Sequence, residues 1–221
     1  MARISRIVIP KIPHHVTQRG VRSINIFNND KDRGEYLSLI KMMGERYGLT
    51  FLGYCLMNNH VHFIVIPKDK DSLALGIGEA HRRYTRMKNL DENVRGHLFQ
   101  ERFYSCPLDS KHTISAMRYV ERNPVRANIV KQAWHYNWSS AKMHVGMTSK
   151  DKLVTYNSLD YTAEEWHSML KNEPHEIKYI RKCYKTGKPC GEMKFFIKIK
   201  KITGKDFTPK KTGPKPKYLN T

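Results

Sequence analysis

Two apolar runs, LTFLGYCLM (49–57) and HVHFIVIP (60–67), are separated by only Asn58 and Asn59. A connection this short leaves room for one arrangement, two antiparallel strands joined by a tight hairpin. Asparagine tolerates the positive φ that such a turn demands. The rest of the chain must pack around this hairpin. HHVTQR (14–19) alternates and is rich in β-formers, so it reads as a further strand. Asp30 reads as the N-cap of a helix whose Tyr36, Leu37, Ile40, Met43 and Tyr47 share one face, with Gly48 where a C-cap would stand. A helical pattern over 71–88 ends in a basic stretch, 96–108 reads as a strand, and 110–123 as a helix. This order predicts an α+β fold: a ferredoxin-like, RRM-like antiparallel sheet with helices on one face.

Composition shifts after about residue 150, which divides the chain into a first unit, 1–145, and a basic extension, 146–221. From His175 to Thr221 there are 14 Lys+Arg against 3 Asp+Glu. Helical candidates fall at 161–171, 174–185 and 191–202. The end, from Pro209 to Lys217, is polar and rich in proline and glycine, and reads as a flexible tail suited to phosphate-backbone contact.

Over the whole chain the formal charge is +20. Nucleic acid, an anionic membrane surface or an acidic protein could neutralise it, and an ordinary metabolic enzyme has little use for it. No apolar run approaches the roughly 18–20 residues of a membrane helix, and MARISRIVIPKIP lacks the apolar core of a secretory signal. Cys55, Cys106, Cys183 and Cys190 form no CxxC pair and read as reduced thiols of a bacterial cytoplasm. Neither GxxxxGK[ST] nor GxGxxG is present, so no nucleotide cofactor is implied.

His60-Val61-His62 opens the second strand of the hairpin. Side chains at i and i+2 share a face, so both imidazoles can reach one ion while Val61 turns into the core. A lone His-x-His is also common on ordinary strand surfaces. In the helix 110–123, Ile114, Met117 and Val120 form the apolar stripe and Tyr119 lies off it. A phenol there can be a nucleophile, helped by a metal and basic groups; an amphipathic surface tyrosine fits the position as well. Asn123 follows one turn later. Its amide oxygen could be a third metal ligand, or Asn-Pro could simply cap a new helix. Two nitrogens with at most one amide oxygen leave open positions, which suits Mg2+ or Mn2+ rather than a closed zinc site.

Together, Leu56-Met57-Asn58-Asn59-His60-Val61-His62 and Arg118-Tyr119-Val120-Glu121-Arg122-Asn123-Pro124-Val125-Arg126-Ala127 resemble the REP-associated tyrosine transposases. These are relatives of the IS200/IS605 transposases among the HUH single-strand endonucleases. His15-Val16-Thr17-Gln18-Arg19-Gly20, Gly96 to Phe103 and Trp138-Ser139-Ser140 are similar too, in family order, from about residue 3 to 145. Thr186-Gly187-Lys188-Pro189 onward is similar to the family's C-terminal segment. The resemblance implies that His60 and His62, with Asn123 as a third candidate, bind the divalent ion. It implies that Tyr119 attacks single-stranded DNA beside a hairpin, giving a 5′-phosphotyrosine and a free 3′-OH. Two departures stand out. Met57-Asn58-Asn59-His60 replaces the common Met-Pro-Asn-His, and Gly213-Pro214-Lys215-Pro216-Lys217 only loosely matches a Gly-Arg-Pro hook.

Arg19, Arg82, Arg83, Arg86, Arg102 and Arg118 are the candidates for DNA contact. Tyr84 and Phe103 could stack on bases, although core packing suits both. The competing reading is a non-catalytic nucleic-acid binder, which requires exposed aromatics such as Phe51 and Phe63 on central strands. A plasmid-type replication initiator fails for want of a helicase segment. The long basic extension favours a monomer over a homodimer.

Overall fold

The computed structural model describes residues 6–154 and 160–209. Its centre is a four-stranded antiparallel sheet in the order β2-β3-β1-β4, from β1 (His14–Arg19), β2 (Leu49–Leu56), β3 (His60–Pro67) and β4 (Tyr104–Pro107). β3 therefore lies between β1 and β2, the split βαβ arrangement expected from the sequence. The two crossover helices, α1 (Asp30–Arg46) and α2 (Ser72–Asp91), pack against each other on one face. There Tyr36 meets Phe63, which in turn meets Phe51. Phe51 and Phe63 are buried, so no stacking platform of the RRM kind is exposed on these strands.

The opposite face is not left to solvent. Strand β3 is buried along nearly its whole length, which requires cover on both sides. That cover is α3 (Ser110–Glu121), packed on β2 and β3. The expected single layer of helices holds for the crossovers, and α3 adds a second.

Three boundaries differ from the sequence pattern, each for a local reason. Asn29, not Asp30, caps α1, its side chain accepting from the Asp32 amide at 3.0 Å. The Asp30 carboxylate is spent on Arg33 and the Trp138 indole. Of the strand expected over 96–108 only 104–107 pairs, because Gly96 and Glu101 take positive φ and the Gln18 amide holds the carbonyls of Gln100 and Glu101. Helix α3 stops at Glu121, and Pro124 starts a short turn, α4 (Asn123–Arg126). Gly48, at φ +67°, stands just past the C-cap of α1 and lets the chain turn into β2.

After another short turn, α5 (Ala141–His144), the described residues of the extension form three helices: α6 (Ala163–Leu170), α7 (Ile177–Thr186) and α8 (Met193–Thr203). Helix α6 begins with a Thr162/Glu165 capping box. Trp166, Leu170, Ile180 and Tyr184 join the same apolar core as the sheet, whereas Phe195 and Ile199 close a smaller core over Ile9 and Ile12. The basic tail from Lys210 onward lies outside the described residues. All four cysteines are free and buried. Among the described residues no helix is long and apolar enough to cross a membrane.

Candidate active site

On the α3 face of the sheet lies a cleft of about 580 Å³. Strand register builds its floor: Thr17 pairs with His62 and Arg19 with His60. Both histidines therefore face the same way, while Val61 turns to the other face and is fully buried. Tyr119, half-buried, stands edge-on to His62 with ring centroids 6.0 Å apart.

Each histidine has committed one nitrogen. His60 Nδ1–H donates to Asn59 Oδ1 at 2.6 Å, and His62 Nδ1 lies 2.8 Å from Nε2 of His15 on β1. The uncommitted nitrogen of each ring is Nε2. Burial, seconded by the charges of Arg19 and Arg126, pushes the His60 pKa down to about 4. Burial also holds His62 well below the ordinary histidine value and His15 at about 3. At neutral pH these rings are uncharged and their electron pairs are available.

Residues 177–186 supply part of the wall. Arg181, Tyr184 and Lys185 of α7 line the cleft with His60, His62 and Tyr119. Tyr184 lies flat on His15 at 3.6 Å between centroids, and the Arg181 guanidinium is 5.8 Å from the Tyr119 ring. Closer still is Arg126, 4.1 Å over the same ring. Its guanidinium also donates to Tyr119 O, Asn123 Oδ1 and Glu173.

Asn123 lies behind Tyr119, outside the cleft lining. Its Nδ2 donates to the carbonyls of Tyr119 and Val120, so it closes the end of α3 instead of capping a following helix. Among the described residues no group of three or more His, Cys, Asp or Glu side chains is arranged to hold a metal ion. His60 and His62 present two imidazole rings to the cleft.

The candidate arginines scatter. Arg19 lines the cleft. Arg118 turns away, its guanidinium donating to Met169 O in the last turn of α6 and to Asn172 O just past it. Arg82 and Arg83 pair with Glu79 at 2.7 Å and, with Arg86, border a separate groove along α2. Arg102 lines a further groove near Phe103. Tyr84 and Phe103 are core residues. Sequence reasoning missed His15, Arg126, Arg181, Tyr184 and Lys185. Alternation places His15 on the face of Thr17 and Arg19, but nothing local shows that His62 lies beside it. The α7 residues sit in a charge run that reads as solvated surface.

A family model described as "Transposase IS200 like" matches residues 10–123, from the approach to β1 through Asn123. No curated protein matches the chain. Among solved structures, one of a REP-associated tyrosine transposase bound to a REP hairpin is similar over 74% of this chain and 96% of that one, with 17% identity and a TM-score of 0.54. At that identity the likeness is one of fold. A putative transposase from Deinococcus radiodurans R1 aligns with 15% identity over 55% of this chain and 97% of its own, with a TM-score of 0.38.

Proposed function

The chain belongs to the IS200-like transposase family, and from that membership we propose that its cleft cuts and rejoins single-stranded DNA at hairpin-forming repeats, with Tyr119 as nucleophile. Membership carries site-specific cleavage and strand transfer by a metal-dependent route. The observation that supports the residue roles is the convergence of Tyr119, His60 and His62 on one cleft. The REP hairpin held by the similar solved structure supports a hairpin partner.

In this reading Tyr119 Oη forms a bond to the scissile phosphorus and the P–O3′ bond breaks. The phenol gives up its proton, the 3′ oxygen takes one up and leaves as a hydroxyl, and the 5′ phosphate stays on the tyrosine. Reversal, with an incoming 3′-OH, rejoins the strand without a nucleotide energy source. A divalent ion, Mg2+ or Mn2+, held by Nε2 of His60 and of His62, would supply electrophilic help at the phosphate. Asn123 would complete the set only by sharing Oδ1 between the ion and Arg126. Arg19, Arg181 and Lys185, which line the cleft, are assigned to phosphates there, and Arg82, Arg83, Arg86 and Arg102, which border other grooves, to the duplex part of the hairpin. Arg118 is assigned to anchoring α6.

The length of the basic extension supports a monomer. Four unpaired thiols support work in a reducing cytoplasm. The test is a denaturing gel of protein incubated with single-stranded hairpin oligonucleotides and Mn2+. A covalent protein–DNA band is expected, absent from Tyr119→Phe and from chelated samples. A band that persists in Tyr119→Phe would remove the tyrosine from its role.

A further inference from the structure

We propose that His15 is a positioning residue for the metal centre: it accepts the Nδ1–H of His62 and so keeps the Nε2 electron pair of His62 turned to the cleft. The proposal rests on the reading that His60 and His62 hold the ion.

Geometry carries it. The 2.8 Å contact joins His15 Nε2 to His62 Nδ1. The two ring planes lie within 22° and their centroids are 5.0 Å apart. Such a separation is that of two imidazoles meeting edge to edge, so the bond runs nearly in the plane of both rings. Both rings are buried. No carboxylate is hydrogen-bonded to either among the described residues, so the pair shares one proton across the contact.

That proton has two places. If His15 Nε2–H donates, the proton of His62 sits on Nε2 and blocks the nitrogen that faces the cleft. If His62 Nδ1–H donates, Nε2 of His62 is free and His15 carries its own proton on Nδ1. Only the second state can bind a cation, so the partner that accepts from His62 decides whether the site exists.

His15 is itself held. Tyr184 of α7 covers its face at 3.6 Å, and β1 fixes its backbone between β3 and β4. Through this stack α7 of the extension packs on the ring that meets His62. His60 needs no such help, because its neighbour Asn59 already accepts its Nδ1–H.

The test uses the full chain, with Mn2+ as the probe, followed by EPR of free and bound ion and by calorimetry. Removing a partner of this kind typically costs about 10–100-fold in metal affinity. His15→Leu is expected to weaken Mn2+ binding by that factor. His15→Gln, whose amide oxygen reaches the same place, is expected to recover most of it. Long-range 1H–15N spectra of the metal-free wild type should show His62 protonated at Nδ1, a readout that needs neither variant nor activity. Mn2+ binding unchanged in His62→Ala would overturn the metal reading beneath the proposal. Binding lost in His62→Ala but unchanged in His15→Leu overturns the role of His15 alone, as does a wild-type His62 protonated at Nε2.

Discussion

Two buried histidines flank α3, and they differ in the group each hydrogen-bonds. His62, on the cleft side, touches another imidazole. His144, behind the helix, touches the Glu121 carboxylate. Burial presses both toward neutrality. Glu121 outweighs it at His144, whose pKa is raised above the ordinary histidine value, whereas His62 falls well below it. Glu121 is fully buried and also accepts from Ser140 Oγ at 2.6 Å and from the Trp166 indole at 2.9 Å. The back pair is therefore a hydrogen-bonded knot tying α3, α5 and α6 together. The front pair keeps its electron pairs uncommitted to any charge. A histidine near α3 has its pKa raised or lowered according to whether an acid faces it.

The largest test of this contrast is acid. His14, His15 and His81 are fully buried, and burial holds their pKa values at about 4, 3 and 3. Below the unfolded value of about 6.5 the unfolded chain takes up protons that the folded chain refuses, so stability falls with pH. Each group costs on the order of 2 kcal/mol by pH 5. The back pair has the opposite sign. Its contribution is complete below the ordinary histidine pKa and is lost as pH rises through the raised value of His144. Urea midpoints measured from pH 8 to pH 5 should therefore drop steeply on the acid side, and less steeply in His81→Phe. A flat profile would mean that these rings are not neutral in the fold.

Next in size is Glu121→Ala. It leaves His144, Ser140 Oγ and the Trp166 indole facing a hole, and breaking a buried pair in this way costs about 3–5 kcal/mol. Glu121→Gln keeps an acceptor for two of the three and should cost less. Mn2+ affinity, set on the other side of α3, should hold in Glu121→Gln; a tenfold loss there would show the two sides to be coupled.

The hairpin, the helix faces and the His60/His62 alternation were legible because each depends on neighbours within four residues. So was the off-stripe position of Tyr119. The rest depends on partners far along the chain. His15 meets His62 from 47 residues away, and Tyr184 reaches His15 only after α7 packs beside α3 and β4. Arg118 and Arg126 share a helical neighbourhood, yet one holds the end of α6 and the other covers Tyr119. Charge alone could not tell them apart. Asn123 read as a cap at least as readily as a ligand, and its amide hydrogens turned back to α3.

The smallest effect sharpens the comparison within the cleft itself. His60 and His62 are held by different means: an adjacent asparagine, and a histidine from another strand. Asn59 is half-exposed, and the other hydrogen bond of its side chain is a weak one to Ser23 O at 3.3 Å. In Asn59→Ala, water can take over the Nδ1–H of His60, whereas no water reaches the buried edge between His15 and His62 so easily. Asn59→Ala should therefore lower Mn2+ affinity by less than tenfold, under about 1.4 kcal/mol, and should shift the urea midpoint little. His15→Leu should exceed it on both scales. If Asn59→Ala instead proves the more damaging of the two, the exposed turn controls the metal site, and the buried imidazole pair is mainly packing.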